Sequence, residues 1–279
     1  MKTIINLKEL KYIGILFLLH LCSCEDVIDV DLKTGDAALV IDAEILWEKG
    51  TAGSVQTIRI SRMTDYYNPG PPQVSGAQVH IENGGGDLFT FLESNQEGVY
   101  ICSDFIPRLN ETYTLHVTVG SQTFMASETL MPVPEINRVE QGYVEGFSGD
   151  TNFEVSIFYD DPDNQTNFYL TDFSVPILQY PEYILTDDDF YNGNEIKNDF
   201  SDEDLEAGDT IAVIHRGISE PFYNYMNLVL ETTSSNPFAT PPATIRGNII
   251  NQTDPNDYAL GYFRLCEANY LSYTLKDGE

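Results

Sequence analysis

The chain predicts a mainly β fold in two parts: an N-terminal immunoglobulin-like β-sandwich over residues 38–133, then a second β-rich domain with one packed α-helix over residues 134–279. Three observations carry this. Seven short segments between Ala38 and Ser127 alternate apolar with polar residues, with turn formers between them and no helical period. Met131-Pro132-Val133-Pro134 reads as a stiff linker, because proline fixes φ and pushes its predecessor toward extended geometry. One stretch, Ser219 to Glu231, carries a convincing helical period.

The first half opens with Ala38-Leu39-Val40-Ile41-Asp42-Ala43-Glu44-Ile45-Leu46, an apolar run that passes into alternation, and Val55 to Ser61 alternates throughout. Asp65 to Pro72 is too rich in Pro and Gly to continue a strand and reads as an exposed loop. Gly76 to Glu82 and Leu88 to Leu92 flank Asn83-Gly84-Gly85-Gly86-Asp87, which makes a hairpin. Val99 to Ile101, Thr112 to Val119 and Gln122 to Ser127 complete the seven. In the second half, Phe153 to Tyr159 and Asn167 to Phe173 flank a turn at Asp160-Asp161-Pro162-Asp163-Asn164. A long polar segment from Thr186 to Asp209 precedes a strand at Thr210 to His215. Ser219 can cap the helix and Pro221 suits its first turn, while Phe222, Tyr225, Met226, Val229 and Leu230 share one face. Residues 245–250, 258–266 and 269–275 read as closing strands.

The N-terminus predicts a destination. Lys2, Lys8 and Lys11 precede an apolar run from Tyr12 to Leu21, and Leu21-Cys22-Ser23-Cys24 resembles a lipobox cleaved before a lipid-modified cysteine. Residues 1–23 are then a lipoprotein signal peptide, Cys24 the acylated first residue, and residues 24–37 an acidic tether. The apolar run is too short to span about 30 Å of hydrocarbon, which disfavours a resident transmembrane helix. Glu25 and Asp26 directly behind Cys24 resemble the acidic signals that send lipoproteins of Bacteroidota to the outer face of the outer membrane. The expected location is the outer membrane, held by lipid and facing the exterior.

Charge narrows the function. The net charge is −30, and losing residues 1–23 removes three Lys and only one Glu, which deepens it. Such a chain repels polyanions, and no basic stripe is present, so nucleic acid is excluded as a partner. Cys102 and Cys266 remain once Cys22 and Cys24 are accounted for, either as buried thiols or as a bridge between the halves.

Catalytic signatures are missing. His80, His116 and His215 fall in separate strands, and no His-Glu-x-x-His helix exists. Gly146-Phe147-Ser148-Gly149-Asp150 lacks the second glycine and the α/β context of a nucleophile elbow. The glycines at 84–86 lead into a strand rather than a helix N-terminus. Calcium is the one cofactor raised, because two acidic loops offer several oxygens each: Asp160, Asp161, Asp163 and Asn164, and more strongly Asp187, Asp188, Asp189 and Asn192 with Asn194. A solvated turn is the alternative for both, and Phe190 stands where an EF-hand needs an oxygen. Tyr66 and Tyr67 in the Pro/Gly-rich loop, with Trp47, are the candidate stacking platform for a glycan or peptide, against ordinary packing.

Several segments in order resemble one family, the Bacteroidota lipoproteins of domain-of-unknown-function family 4249. They include Cys24-Glu25-Asp26-Val27-Ile28-Asp29-Val30, Val74-Ser75-Gly76-Ala77-Gln78-Val79, Glu128-Thr129-Leu130-Met131-Pro132-Val133-Pro134, Asp188-Asp189-Phe190-Tyr191-Asn192-Gly193 and Leu260-Gly261-Tyr262-Phe263. The resemblance supplies no enzymatic activity and no catalytic residues. It implies an accessory surface lipoprotein associated with TonB-dependent nutrient uptake and a TonB-dependent receptor as partner. The expectation is therefore a non-enzymatic binding module. The alternatives are a cell-surface structural or adhesion protein and a carboxylate-based hydrolase, which would need two facing acids in a cleft.

Overall fold

A computed structural model describes residues 37–64, 70–146, 149–163, 165–190, 192–233 and 245–277. The export residues Leu21, Ser23, Cys24, Glu25 and Asp26 and the loop tyrosines Tyr66 and Tyr67 lie outside the described residues. Among the described residues no helix is long and apolar enough to cross a membrane.

The fold is mainly β, with fifteen strands and one helix among the described residues. The seven segments of the first half become β1 (Leu39–Glu48), β2 (Gln56–Arg62), β3 (Gln78–Asn83), β4 (Leu88–Glu93), β5 (Val99–Cys102), β6 (Thr112–Val119) and β7 (Gln122–Thr129). Side chains alternate across each strand, so one apolar set turns inward. In β1 that set is Leu39, Ile41, Ala43 and Ile45. β1, β2 and β5 form one layer, while β4, β3, β6 and β7 form the other; β4 also touches β5 at its Leu92–Glu93 end. Between the layers lies a first core of Ile, Val, Phe and Tyr side chains. This is an immunoglobulin-like sandwich.

The second half holds β8 (Ile136–Glu145), β9 (Thr151–Asp160), β10 (Phe168–Ser174), β11 (Glu182–Asp187), β12 (Glu195–Ser201), β13 (Thr210–Ile218), helix α1 (Glu220–Thr233), β14 (Ile250–Asn251) and β15 (Phe263–Thr274). β15 runs parallel to β1 and then antiparallel to β13, which carries the first sheet on through β10 to β11 as twelve strands. A three-stranded sheet, β12-β9-β8, faces that extension across a second core that includes Val155, Ile157, Phe173, Val213 and Leu275. The opposite side of the extension carries α1 over a third, smaller cluster that includes Leu170, Ile218 and Phe222.

The linker is bound rather than free. The Val133 N–H donates to Glu267 Oε2 at 3.0 Å, Lys49 Nζ donates to the Val133 carbonyl at 2.7 Å, and Glu267 is almost fully buried. Gly217 allows the contact, since a Cβ there would lie 1.8 Å from the Pro132 carbonyl oxygen. Ser219 caps α1 as expected, its Oγ accepting from the Phe222 N–H at 3.3 Å.

Two differences from the sequence reading have physical reasons. The polar segment 186–209 contains β12, whose inward positions are Ile196, Asn198 and Phe200; a buried asparagine hides the apolar face. The two closing segments 258–266 and 269–275 are one twelve-residue strand from Phe263, and 245–250 contributes only the start of the two-residue β14. Cys102 and Cys266 are both buried free thiols, with burial pushing them up to about 11 and about 12.

Candidate functional site

The face of β1 that turns away from the first core carries Asp42 and Glu44, and β15 places Arg264 directly beside Glu44. β13 contributes Arg216 and β10 contributes Asp172 from the same side, because strand alternation sends their neighbours His215 and Thr171 into the second core's interface. The five side chains form a charge ladder. Asp172 Oδ1 lies 2.5 Å from Arg216 Nη1, Arg216 Nε lies 3.3 Å from Glu44 Oε1, Glu44 Oε2 lies 3.1 Å from Arg264 Nη2, and Arg264 Nη1 lies 3.2 Å from Asp42 Oδ1. Three acids against two guanidiniums leave it one negative charge. Arg216 Nε is near Glu44 but out of line with it, so this buried N–H makes no hydrogen bond.

Helix α1 forms the opposite wall. Phe222 and Tyr225 of its apolar face meet Tyr262, with ring centroids 4.9 Å and 4.8 Å apart, and the Arg264 guanidinium sits 5.5 Å from the Phe222 centroid. Between charged floor and aromatic wall is a cleft of about 400 Å³, also bordered by Tyr183, Met226 and Val229. That size suits a small organic ligand. Burial raises the Glu44 carboxyl, but Arg264 and Arg216 together outweigh it and hold the group below the ordinary carboxylate range. Burial lowers Arg216, yet Asp172 and Glu44 reverse this and keep it charged. Behind the aromatic wall, Glu128 accepts from Ser219 Oγ at 2.8 Å and from the Tyr262 hydroxyl at 3.4 Å. Burial followed by that carboxylate raises the Tyr262 phenol, which stays neutral.

The residues singled out from sequence lie elsewhere. Trp47 packs half-buried on the first core, donates Nε1 to the Thr51 carbonyl at 2.9 Å and covers Gly53, whose Cβ would meet the indole at 2.5 Å. Asp187, Asp188, Asp189 and Asn192 do not converge on one point. Asp187 turns to the helix side and accepts from the Tyr223 hydroxyl at 2.8 Å, whereas Asp188 turns to the inner side and accepts from the Asn167 N–H at 2.8 Å. Asp189 is exposed, and Asn192 donates its N–H to the Asp188 carbonyl. Among the described residues, no three His, Cys, Asp or Glu side chains are grouped as a metal would need. His80 and His116 are brought together, stacked at 4.6 Å across β3 and β6, and His215 is fully buried. The cleft itself was missed. Glu44 and Arg264 are far apart in sequence, and their pairing comes from the parallel register of β1 with β15; the one readable signal was the aromatic face of α1.

Fold and cleft together define a class: an immunoglobulin-like sandwich extended by a second β layer, with a charge-laddered aromatic cleft under its helix. The family model described as a domain of unknown function, DUF4249, matches residues 25–269, and the chain belongs to that family. No curated protein matches it. Among solved structures it is similar to a two-domain fibronectin type III segment of chicken tenascin, at 10% identity and TM-score 0.22, covering 58% of this chain and 83% of that one. It is also similar to the FN1–FN3 domains of chicken CNTN1, at 10% identity and TM-score 0.21, covering 84% of this chain and 65% of that one.

Proposed function

We propose that this chain is a lipid-anchored, non-enzymatic binding protein on the exterior of a bacterial outer membrane, acting beside a TonB-dependent receptor in nutrient uptake, with the cleft as its ligand site. One observation carries the binding role: the cleft sets fixed hydrogen-bonding groups on one wall against aromatic and aliphatic groups on the other. A saccharide ring has the matching character, with hydroxyls at its edge and C–H groups on a face that stacks on tyrosine or phenylalanine. The excess acid in the ladder disfavours anionic ligands. Asp172 and Glu44 both face the cleft and each is ion-paired to arginine; the arginines hold Glu44 below the ordinary carboxylate range, whereas burial raises Asp172 in spite of Arg216. The anchor and location rest on the export signal ending at Cys24 and on the acidic residues behind it.

Two experiments test the reading. Labelling cells with a radioactive fatty acid should mark the wild-type chain and leave Cys24→Ala unmarked. Pull-down from solubilised outer membranes should recover a receptor; an unlabelled chain found free in the cytosol contradicts the proposal.

A further inference from the structure

The two acidic loops meet at one end of the second core. Asp161 follows β9, Asn167 precedes β10 and Asp188 follows β11, and each keeps the inward side of its strand's alternation: Asp161 with Ile157 and Tyr159, Asn167 with Tyr169, and Asp188 with Ile184 and Thr186. All three are sealed from solvent, at 4%, 4% and 1% exposure. Hydrogen bonds fix their neighbourhood. The Tyr169 hydroxyl donates to Asp161 Oδ1 at 2.5 Å, the Gly193 N–H to Asp161 Oδ2 at 3.2 Å, the Asp161 N–H to the Asn194 carbonyl at 3.0 Å, and the Asn167 N–H to Asp188 Oδ2 at 2.8 Å.

Two features are out of balance there. Among the described residues neither Asp161 nor Asp188 forms a salt bridge: Arg138 pairs with Glu140 and Glu195, Lys197 with Glu154 and Asp199, Arg216 and Arg264 belong to the cleft ladder, and Arg246 lies over Tyr258. Separately, Asn167 Oδ1 is a buried acceptor with no hydrogen-bond partner. It lies on the inward side with Tyr169, whose hydroxyl reaches Asp161. A buried carbonyl oxygen without a donor is destabilising unless something supplies positive charge to it.

We propose that this end of the core is a calcium site, with the carboxylates of Asp161 and Asp188 and the Asn167 Oδ1 as its side-chain ligands. Two carboxylates neutralise one Ca²⁺, the amide oxygen gains its missing partner, and turn carbonyls or water complete the six to eight oxygens the ion takes. Asp187 and Asp189 are not ligands: Asp187 turns to Tyr223 on the helix side, and Asp189 is exposed. The bound ion ties the β9–β10 turn to the β11–β12 turn.

Titration of the full chain with Tb³⁺, excited through tyrosine, tests this, since Tyr169 stands against Asp161. The expected result is sensitised emission that Ca²⁺ displaces, together with a melting temperature raised by CaCl₂ and not by MgCl₂ at matched ionic strength. Asn167→Ala should weaken Ca²⁺ binding about tenfold or more with the fold retained, since it removes a neutral group and strands no charge. Asp188→Asn should do the same, and Glu97→Gln, an exposed acid of the first sandwich, should leave binding unchanged. No calcium-specific melting shift up to about 10 mM would overturn the proposal and leave a buried water as the partner of Asn167. Equal Ca²⁺ affinity in wild type and Asn167→Ala would overturn it as well.

Discussion

His215 supplies a quantitative test of the second core. Its ring is fully buried against Tyr159 and Tyr169, with centroids 4.1 Å and 5.4 Å away, and burial followed by the charge of Arg216 lowers its pKa to about 3. Asn198 Nδ2 donates to Thr171 Oγ1 at 2.8 Å, and that hydroxyl shares a hydrogen bond with His215 Nδ1 at 3.0 Å. The native ring is therefore neutral, while the unfolded ring takes a proton below about pH 6.5. Between those values the unfolded state binds more protons, so stability rises with pH and is lost as pH falls from 6.5 toward 3. At pH 5 the loss is about 2 kcal/mol relative to pH 7.5, at 1.36 kcal/mol per unit. His215→Gln keeps a hydrogen-bonding side chain without the titration. Urea denaturation of both proteins at pH 7.5 and 5.0 measures the difference, and the wild type should lose about 2 kcal/mol more than the variant over that interval. An equal loss in both proteins would refute a neutral buried imidazole.

The other structural expectations are as direct. Arg216→Met should destabilise by about 3–5 kcal/mol in urea denaturation, because Asp172 and Glu44 lose their shared partner inside the protein. Adding Asp172→Leu should recover a good part of that loss. Gly261→Ala should lower stability by about 2 kcal/mol or more, since the residue has φ +94° and a Cβ would lie 2.1 Å from the Ile41 carbonyl oxygen. Cys102 and Cys266 should both resist a thiol reagent at neutral pH until denaturant is added, because burial raises both thiols; rapid labelling of either in the native protein would contradict their placement.

The sequence showed a part of the protein wherever one face of a strand meets a core and the other meets water. β1 to β7 and α1 are such elements, and the predicted segments coincide with them to within a few residues. Legibility failed where the inward face is polar. β12 buries Asn198 between Ile196 and Phe200, and the ends of β9 and β11 bury Asp161 and Asp188, so charged residues that read as solvated turns are interior. β8 has no buried position and β11 is mostly half-buried, which blurs their period. The cleft was illegible for a different reason: its ladder is assembled by β15 pairing in parallel with β1, a contact between chain ends that no local pattern encodes. A pattern search can find the acids and arginines but not their order across four strands.

The central claim is that ligand is held between the ladder and α1, and a calorimetric titration of a glycan and peptide panel tests it. Val229 borders the cleft and takes no part in the ladder's ion pairs, so Val229→Trp fills the space and leaves those pairs in place. A neutral saccharide should bind the wild type and lose at least tenfold in affinity with Val229→Trp at unchanged melting temperature. Undiminished binding by Val229→Trp, or no binding from any member of the panel, would contradict the account.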